Sequence, residues 1–125
     1  MRDGERVTRK QTGSVGEALA AQYLLQQGYD IIVRNWRCRT GEIDIVAGLE
    51  DVLVFVEVRT RRNLGSYGIA KESVHARKQM QVRETAQFYL HRYKIYDRKI
   101  RFDVISIDMD ADGNKLRLEH LQGAF

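Results

Sequence analysis

The chain has one cysteine, Cys38, among 125 residues. That excludes an internal disulfide and a cysteine-rich zinc site, and it suits a reducing, cytoplasmic setting. No apolar run approaches the ~20 residues of a membrane span. The first residues, Met1-Arg2-Asp3-Gly4-Glu5-Arg6, have no apolar stretch behind them and do not read as a signal peptide. There is no internal repeat, no low-complexity tract and no interdomain linker. His75, His91 and His120 lack the close pairing of a zinc motif and read as solvated or individually hydrogen-bonded side chains. Gly65-Ser66-Tyr67-Gly68 is not a phosphate-binding loop, and neither Ser14 nor Ser106 sits in a nucleophile elbow.

What is present is an ordinary globular composition, 43% hydrophobic and 30% charged, enough for a real core in one domain. Residues 1–12 are polar and charged and are expected to form a flexible basic arm ahead of a single domain over residues 13–125. Net charge is +4. Its distribution says more than its sum. Arg34, Arg37 and Arg39 come together without an acid among them, and Arg59, Arg61 and Arg62 follow an apolar strand directly. Beyond residue 102 the chain turns acidic, so the arginines gather on one part of the molecule and suit an anion, nucleic acid above all.

Local patterns predict the order of elements. Ser14-Val15-Gly16-Glu17 matches a capping box opening a helix that Gly28 closes. Tyr29–Arg37, Glu42–Ala47 and Val52–Arg59 read as three strands joined by short turns, an antiparallel meander. Thr60–Ala70 reads as a long polar loop. A helical stripe of Val82, Ala86, Tyr89, Leu90 and Tyr93 follows within residues 73–93, with Val74 and Met80 extending its apolar contacts. Ile100–Ile107 is a fourth strand, and Asp112-Gly113 turns into a fifth at Lys115–Leu121. The expected fold is α/β, a mixed sheet flanked by helices in the order α-β-β-β-α-β-β.

Two of these strands carry an acid where apolar residues are expected. Asp44 stands in Gly41-Glu42-Ile43-Asp44-Ile45-Val46, and Glu57 in Phe55-Val56-Glu57-Val58-Arg59. A carboxylate on an apolar strand costs several kcal/mol unless a positive group meets it. Alternation puts Glu57 and Arg59 on the face of Phe55, and Asp44 on the face of Glu42 and Val46. If the two strands pair as a hairpin, those faces can coincide. Salt bridges to arginine answer the two acids in one reading; a divalent cation with hard oxygen ligands, Mg²⁺ or Mn²⁺, answers them in the other. Glu17 likewise has two readings, as the capping residue or as a carboxylate directed inward from the first helical turn. A cation held by carboxylates among arginines suits phosphodiester cleavage.

The pair Gly41-Glu42-Ile43-Asp44 and Phe55-Val56-Glu57-Val58-Arg59 resembles the Asp…Glu-x-Lys signature of the PD-(D/E)XK nuclease superfamily. Together with Gly16-Glu17-Ala18, Gly28-Tyr29, Arg34-Asn35 and Phe102-Asp103-Val104, it resembles the small, largely uncharacterised YraN-like bacterial family, related to archaeal Holliday-junction resolvases. The resemblance implies a restriction-endonuclease-like (resolvase-like) core. It also implies Asp44 and Glu57 as ligands of Mg²⁺ or Mn²⁺, with Glu17 joining them, and an endonuclease acting on DNA, branched or single-stranded structures included, with a two-fold dimer as the arrangement suited to a junction. Arg34, Arg37, Arg39, Arg61 and Arg62 are the expected nucleic-acid contacts.

One departure falls at the active position, where the motif lysine is replaced by Arg59. Arginine keeps the charge and binds phosphate through two donors, but it does not give up a proton. Lys71 and Lys78, at the start of and within the second helix, are the candidate substitutes, Lys78 being preferred; its alternative is a solvated helix-face lysine. Arg59 also keeps open an inactive nucleic-acid-binding module. A dimeric scaffold using the exposed sheet edge is the remaining alternative.

Overall fold

A computed structural model describes residues 9–62 and 75–125. Its elements are α1 (Arg9–Gln26), β1 (Asp30–Cys38), β2 (Gly41–Leu49), β3 (Val52–Arg62), α2 (Ala76–Arg92), β4 (Lys99–Met109) and β5 (Lys115–Leu121). The five strands form one sheet in the order β1-β2-β3-β4-β5. β1, β2 and β3 pair antiparallel, β3 and β4 run parallel, and β5 returns antiparallel to β4. The single parallel pair is the one whose connection carries α2, as a crossover requires. The fold is α/β with a mixed sheet in the expected order, consistent with a resolvase-like core.

The two helices cover opposite faces of the sheet. Ala20, Ala21 and Leu24 of α1 pack with Ile45, Ala47, Val54, Val56, Ile105 and Ile107, while Ala86 and Tyr89 of α2 pack with Ile43, Val46, Leu53 and Phe55. Consecutive residues of β3 therefore serve alternate cores, and Leu53–Val56 is buried throughout. Burying one such side chain contributes about 1.5–3 kcal/mol. α1 stops where expected, with Gly28 at φ 93° and the Tyr29 amide donating back to the Leu24 carbonyl.

Several expectations need correction. α1 begins at Arg9, so Ser14 lies inside the helix and is not its cap, and the capping reading of Glu17 goes with it. The expected arm divides into residues 9–12, which are helical, and residues 1–8, which lie outside the described residues. β3 runs on to Arg62, which shortens the expected loop; the rest of it, with Lys71, Ser73 and Val74, also lies outside them. Met80 is 70% exposed and extends no core, because it lies off the stripe formed by Val82, Thr85, Ala86 and Tyr89. Among the described residues no helix is long and apolar enough to cross a membrane.

Candidate functional site

The site begins where the β2–β3 ladder ends. Pairing runs from Leu49↔Val52 to Ile45↔Val56 and stops there. One step further, the Val58 amide donates to Asp44 Oδ2 at 2.8 Å, so a side chain takes the place of a strand carbonyl. β2 is irregular at this point. Ile43 and Ile45 are both fully buried but join opposite cores, and Val46 shares its core with Ile43. Strict alternation from Glu42 to Val46 therefore does not hold. Across on β1, between the pairs Arg34↔Ile45 and Trp36↔Ile43, Asn35 adopts φ 56°, a left-handed backbone that asparagine tolerates better than most residues. The parting strands open a cleft of about 480 Å³ lined by Asp44, Glu57, Val58, Arg59, Thr60, Arg61, His75 and Lys78.

Inside this cleft the two acids stand in different states of satisfaction. Asp44 has the Val58 amide. Burial raises its pKa to about 6, against the lowering effect of that hydrogen bond and with repulsion from Glu17 and Glu42 added. Glu57 has a side chain only 6% exposed, with Oε1 3.6 Å from Lys78 Nζ. Its Oε2 is buried and meets no hydrogen-bond donor. Burial, followed by the charge of Asp44, pushes its pKa up to about 8. A buried polar atom left unpaired costs roughly 1–3 kcal/mol.

A second buried acid supplies the contrast. Asp103 accepts from Arg101 Nε and Nη2, both at 2.8 Å, and from the Gly123 amide at 3.0 Å, and its Oδ2 lies 2.7 Å from His120 Nε2. Burial alone raises its pKa, but the bonds to His120, Arg101 and Gly123 more than reverse this and hold it below the usual carboxylate range. The outer members are Tyr29, which takes a bond from Arg101, and Tyr23, 3.0 Å from His120 Nδ1. This network ties α1, β4, β5 and the C-terminal residues together. Sequence reasoning did not assemble it; the available signal was Arg101-x-Asp103, two opposite charges on one face of a strand.

Glu17 is brought toward the cleft by its neighbour. A Cβ on Gly16 would collide with the Thr60 side chain, so α1 approaches β3 more closely here than any larger residue permits. Glu17 lies 4.0 Å from Arg34 Nη2 and acts on Asp44 through its charge. It does not join Asp44 and Glu57 as a third ligand: among the described residues no group of three His, Cys, Asp or Glu side chains converges, which leaves the two carboxylates of the cleft.

The expected arginines fall into groups. Arg59 and Arg61 line the cleft. Arg34 meets Glu17, and Arg62 ends β3. Arg37 and Arg39 do not line it: Arg37 pairs with Glu42 at 3.5 Å, and the Arg39 guanidinium lies 6.0 Å from the centre of the Phe88 ring. The turn that carries them is pinned to α2. Gln81 Nε2 donates to the Thr40 carbonyl at 3.0 Å, and the Thr40 and Thr85 hydroxyls are 2.9 Å apart. Gly41 adopts φ 154°, which side-chain-bearing residues rarely do, and a Cβ there would lie 3.0 Å from Gln81 Nε2.

Lys78 is partly exposed on α2, and it also lines the cleft, with its Nζ 3.6 Å from Glu57 Oε1. It stands four residues before Val82 on the stripe that α2 turns to the sheet. His75, which the sequence placed among unremarkable histidines, precedes α2 and also lines the cleft.

A sequence model described as "Uncharacterised protein family UPF0102" matches residues 16–107. A UPF0102 protein of Pelobacter propionicus is 46% identical over 122 residues, covering 96% of this chain and 86% of its own length. One from Moorella thermoacetica is 42% identical over 119 residues, covering 95% and 98%, and one from Clostridium perfringens 41% identical over 116, covering 93% and 94%.

Proposed function

Since this chain belongs to the uncharacterised family UPF0102, a membership that names no chemistry, we propose from its cleft that it is a divalent-metal-dependent endonuclease acting on DNA. The observation that carries this reading is the orphaned Glu57 Oε2, buried within a cleft it shares with Asp44. The other buried acid, Asp103, is fully bonded, so among the described residues the bare oxygen belongs to the cleft. Two carboxylates pressed toward protonation at one site fit a hard cation with oxygen ligands, Mg²⁺ or Mn²⁺.

Asp44 and Glu57 would hold the ion, and Glu17 would act on the site from α1 through its charge alone. When bound, the ion supplies a water of lowered pKa and positive charge at the scissile phosphate. The chain's own residues do the rest. The Val58 amide fixes the orientation of Asp44. Arg59, two residues after Glu57 and within the same cleft, offers its guanidinium to a non-bridging phosphate oxygen, where charge grows in the transition state. Arg61 extends that positive wall, and Arg34, Arg37, Arg39 and Arg62 would meet phosphates further along the strand. Branched or single-stranded DNA is the preferred substrate class, and a two-fold dimer would match the symmetry of a four-way junction. The free thiol of Cys38 suits a cytoplasmic protein.

The test is incubation of the purified protein with linear, single-stranded and four-way-junction DNA, in Mg²⁺ or Mn²⁺ and in chelator. Metal-dependent cleavage is expected, lost in Asp44→Ala and in Glu57→Ala. Cleavage that survives both substitutions overturns the assignment. Arg59 in place of the motif lysine favours a second reading, an inactive nucleic-acid-binding module. That reading predicts salt-sensitive DNA binding with no cleavage by the wild type, and cleavage gained in Arg59→Lys.

A further inference from the structure

The cleft holds cations from two different elements. Arg59 comes from β3, at the place where the superfamily motif has lysine, and Lys78 comes from α2. Lys78 begins the stripe that continues through Val82, Thr85, Ala86 and Tyr89, all buried against the sheet. A side chain on a helix leans toward the N-terminus, so the lysine stem points from the last packed turn to the cleft. Its ammonium lies 3.6 Å from Glu57 Oε1, while 45% of the lysine side chain remains exposed. It therefore reaches from the mouth of the cleft to the buried acid. The separation exceeds the ~2.7–2.9 Å of a tight charge-assisted hydrogen bond. The pair is loose, and it leaves Glu57 Oε2 bare.

We propose that Lys78 is a catalytic residue of this cleft, supplying from α2 the phosphate-binding ammonium that the superfamily motif carries on the strand. The inference rests on the nuclease reading and assigns one more group to it. Without a cation in the cleft, the Lys78 ammonium rests beside Glu57 Oε1. Once Glu57 is committed to a divalent cation, the ammonium has a weaker claim on the carboxylate and turns to a non-bridging oxygen of the phosphate at the mouth. No bond to Lys78 forms or breaks; it keeps its protons and donates hydrogen bonds. Cation binding and DNA binding are thereby coupled through one side chain, and such coupling is reciprocal.

The test compares wild type, Lys78→Met, which preserves the packing of the stem, and the double variant Arg59→Lys/Lys78→Met. Thermal unfolding establishes that each is folded. Calorimetric titration with Mn²⁺ alone is expected to show Lys78→Met binding at least as tightly as wild type, because a competitor for Glu57 has gone. Junction DNA binding, followed by fluorescence anisotropy in Ca²⁺ and in chelator, is expected to show a gain of about fivefold or more with the cation in wild type. That gain should be clearly smaller in Lys78→Met, where only the direct attraction of the cation for the phosphate remains. Cleavage in Mn²⁺ is expected to fall about 100-fold in Lys78→Met, and to recover in the double variant, where the ammonium returns to the strand.

Wild-type cleavage in Lys78→Met overturns the proposal, as does a cation-dependent gain that is as large in that variant as in wild type or is missing from wild type. A large loss of Mn²⁺ affinity also overturns it, since Lys78 would then be holding the ligands in place. Failure of the nuclease reading looks different: wild type does not cut, while the coupling of Ca²⁺ to DNA affinity still decides the role of Lys78.

Discussion

At the scale of single residues, three acids on the sheet fall into two groups with opposite thermodynamic signs. Asp44 and Glu57 have folded-state pKa values raised to about 6 and about 8. From the ordinary carboxylate range up to about 8, the folded chain keeps protons that the unfolded chain has released. The stability of the metal-free protein is therefore expected to decline as pH rises through that window. Glu57→Gln removes one of the two groups. It should flatten the decline and make the metal-free protein more stable by about 1–3 kcal/mol at the alkaline end, as read by urea denaturation across pH. Asp103 behaves in the opposite way. Its pKa is held down by its partners, so its contribution is present above the ordinary carboxylate pKa and lost as pH falls through the lowered one. Asp103→Asn should cost about 3–5 kcal/mol at neutral pH, because it leaves Arg101 facing a neutral amide. The Mn²⁺ affinity of the folded fraction should be unchanged. Sequence reasoning found both acids of the cleft because each interrupts an apolar strand. It did not find the contrast between them and Asp103, which depends on partners brought from other elements.

At the scale of elements, the close approach of α1 to β3 beside the cleft depends on one contact. Gly16 lies against Thr60 so closely that a Cβ meets the threonine side chain. Gly16→Ala should destabilise the protein by about 1–3 kcal/mol. Pairing it with Thr60→Ala should recover part of that loss, a coupling measured by a double-mutant cycle in denaturant. Because Gly16 precedes Glu17, the same substitution moves a carboxylate away from Asp44. The capping box was misread for a physical reason. Ser-x-x-Glu satisfies helix-end amides only where the helix ends, and here α1 continues back to Arg9. Lys78 shows the reverse case. Its spacing from Val82 was visible, but whether that end of the stripe meets core or cleft depends on where β2 and β3 part.

At the scale of the whole molecule, positive charge is unevenly placed. Arg59 and Arg61 face the cleft, whereas Lys115 lines a separate groove between β5 and α1. DNA binding is expected to weaken linearly with the logarithm of salt concentration. Arg61→Ala should reduce that slope by about 1, and Lys115→Ala should leave it unchanged, by anisotropy across a salt series. A slope lowered equally by both would mean that the protein binds through its overall charge and not through the cleft.

The sequence by itself determined the order α-β-β-β-α-β-β, the turns at Gly28 and Asp112-Gly113, and the strands bearing Asp44 and Glu57. Periodicity, turn chemistry and the misfit of an acid among apolar residues are local properties, readable within a few residues. Only the tertiary structure decided which buried acid is fully satisfied and which keeps one bare oxygen. It did so by bringing Arg101, His120 and the Gly123 amide to Asp103, and to Glu57 only the Asp44 amide and a loosely held lysine from α2. The charge state and usefulness of a buried carboxylate are set by what surrounds it in space, and those neighbours lie on other elements of the chain.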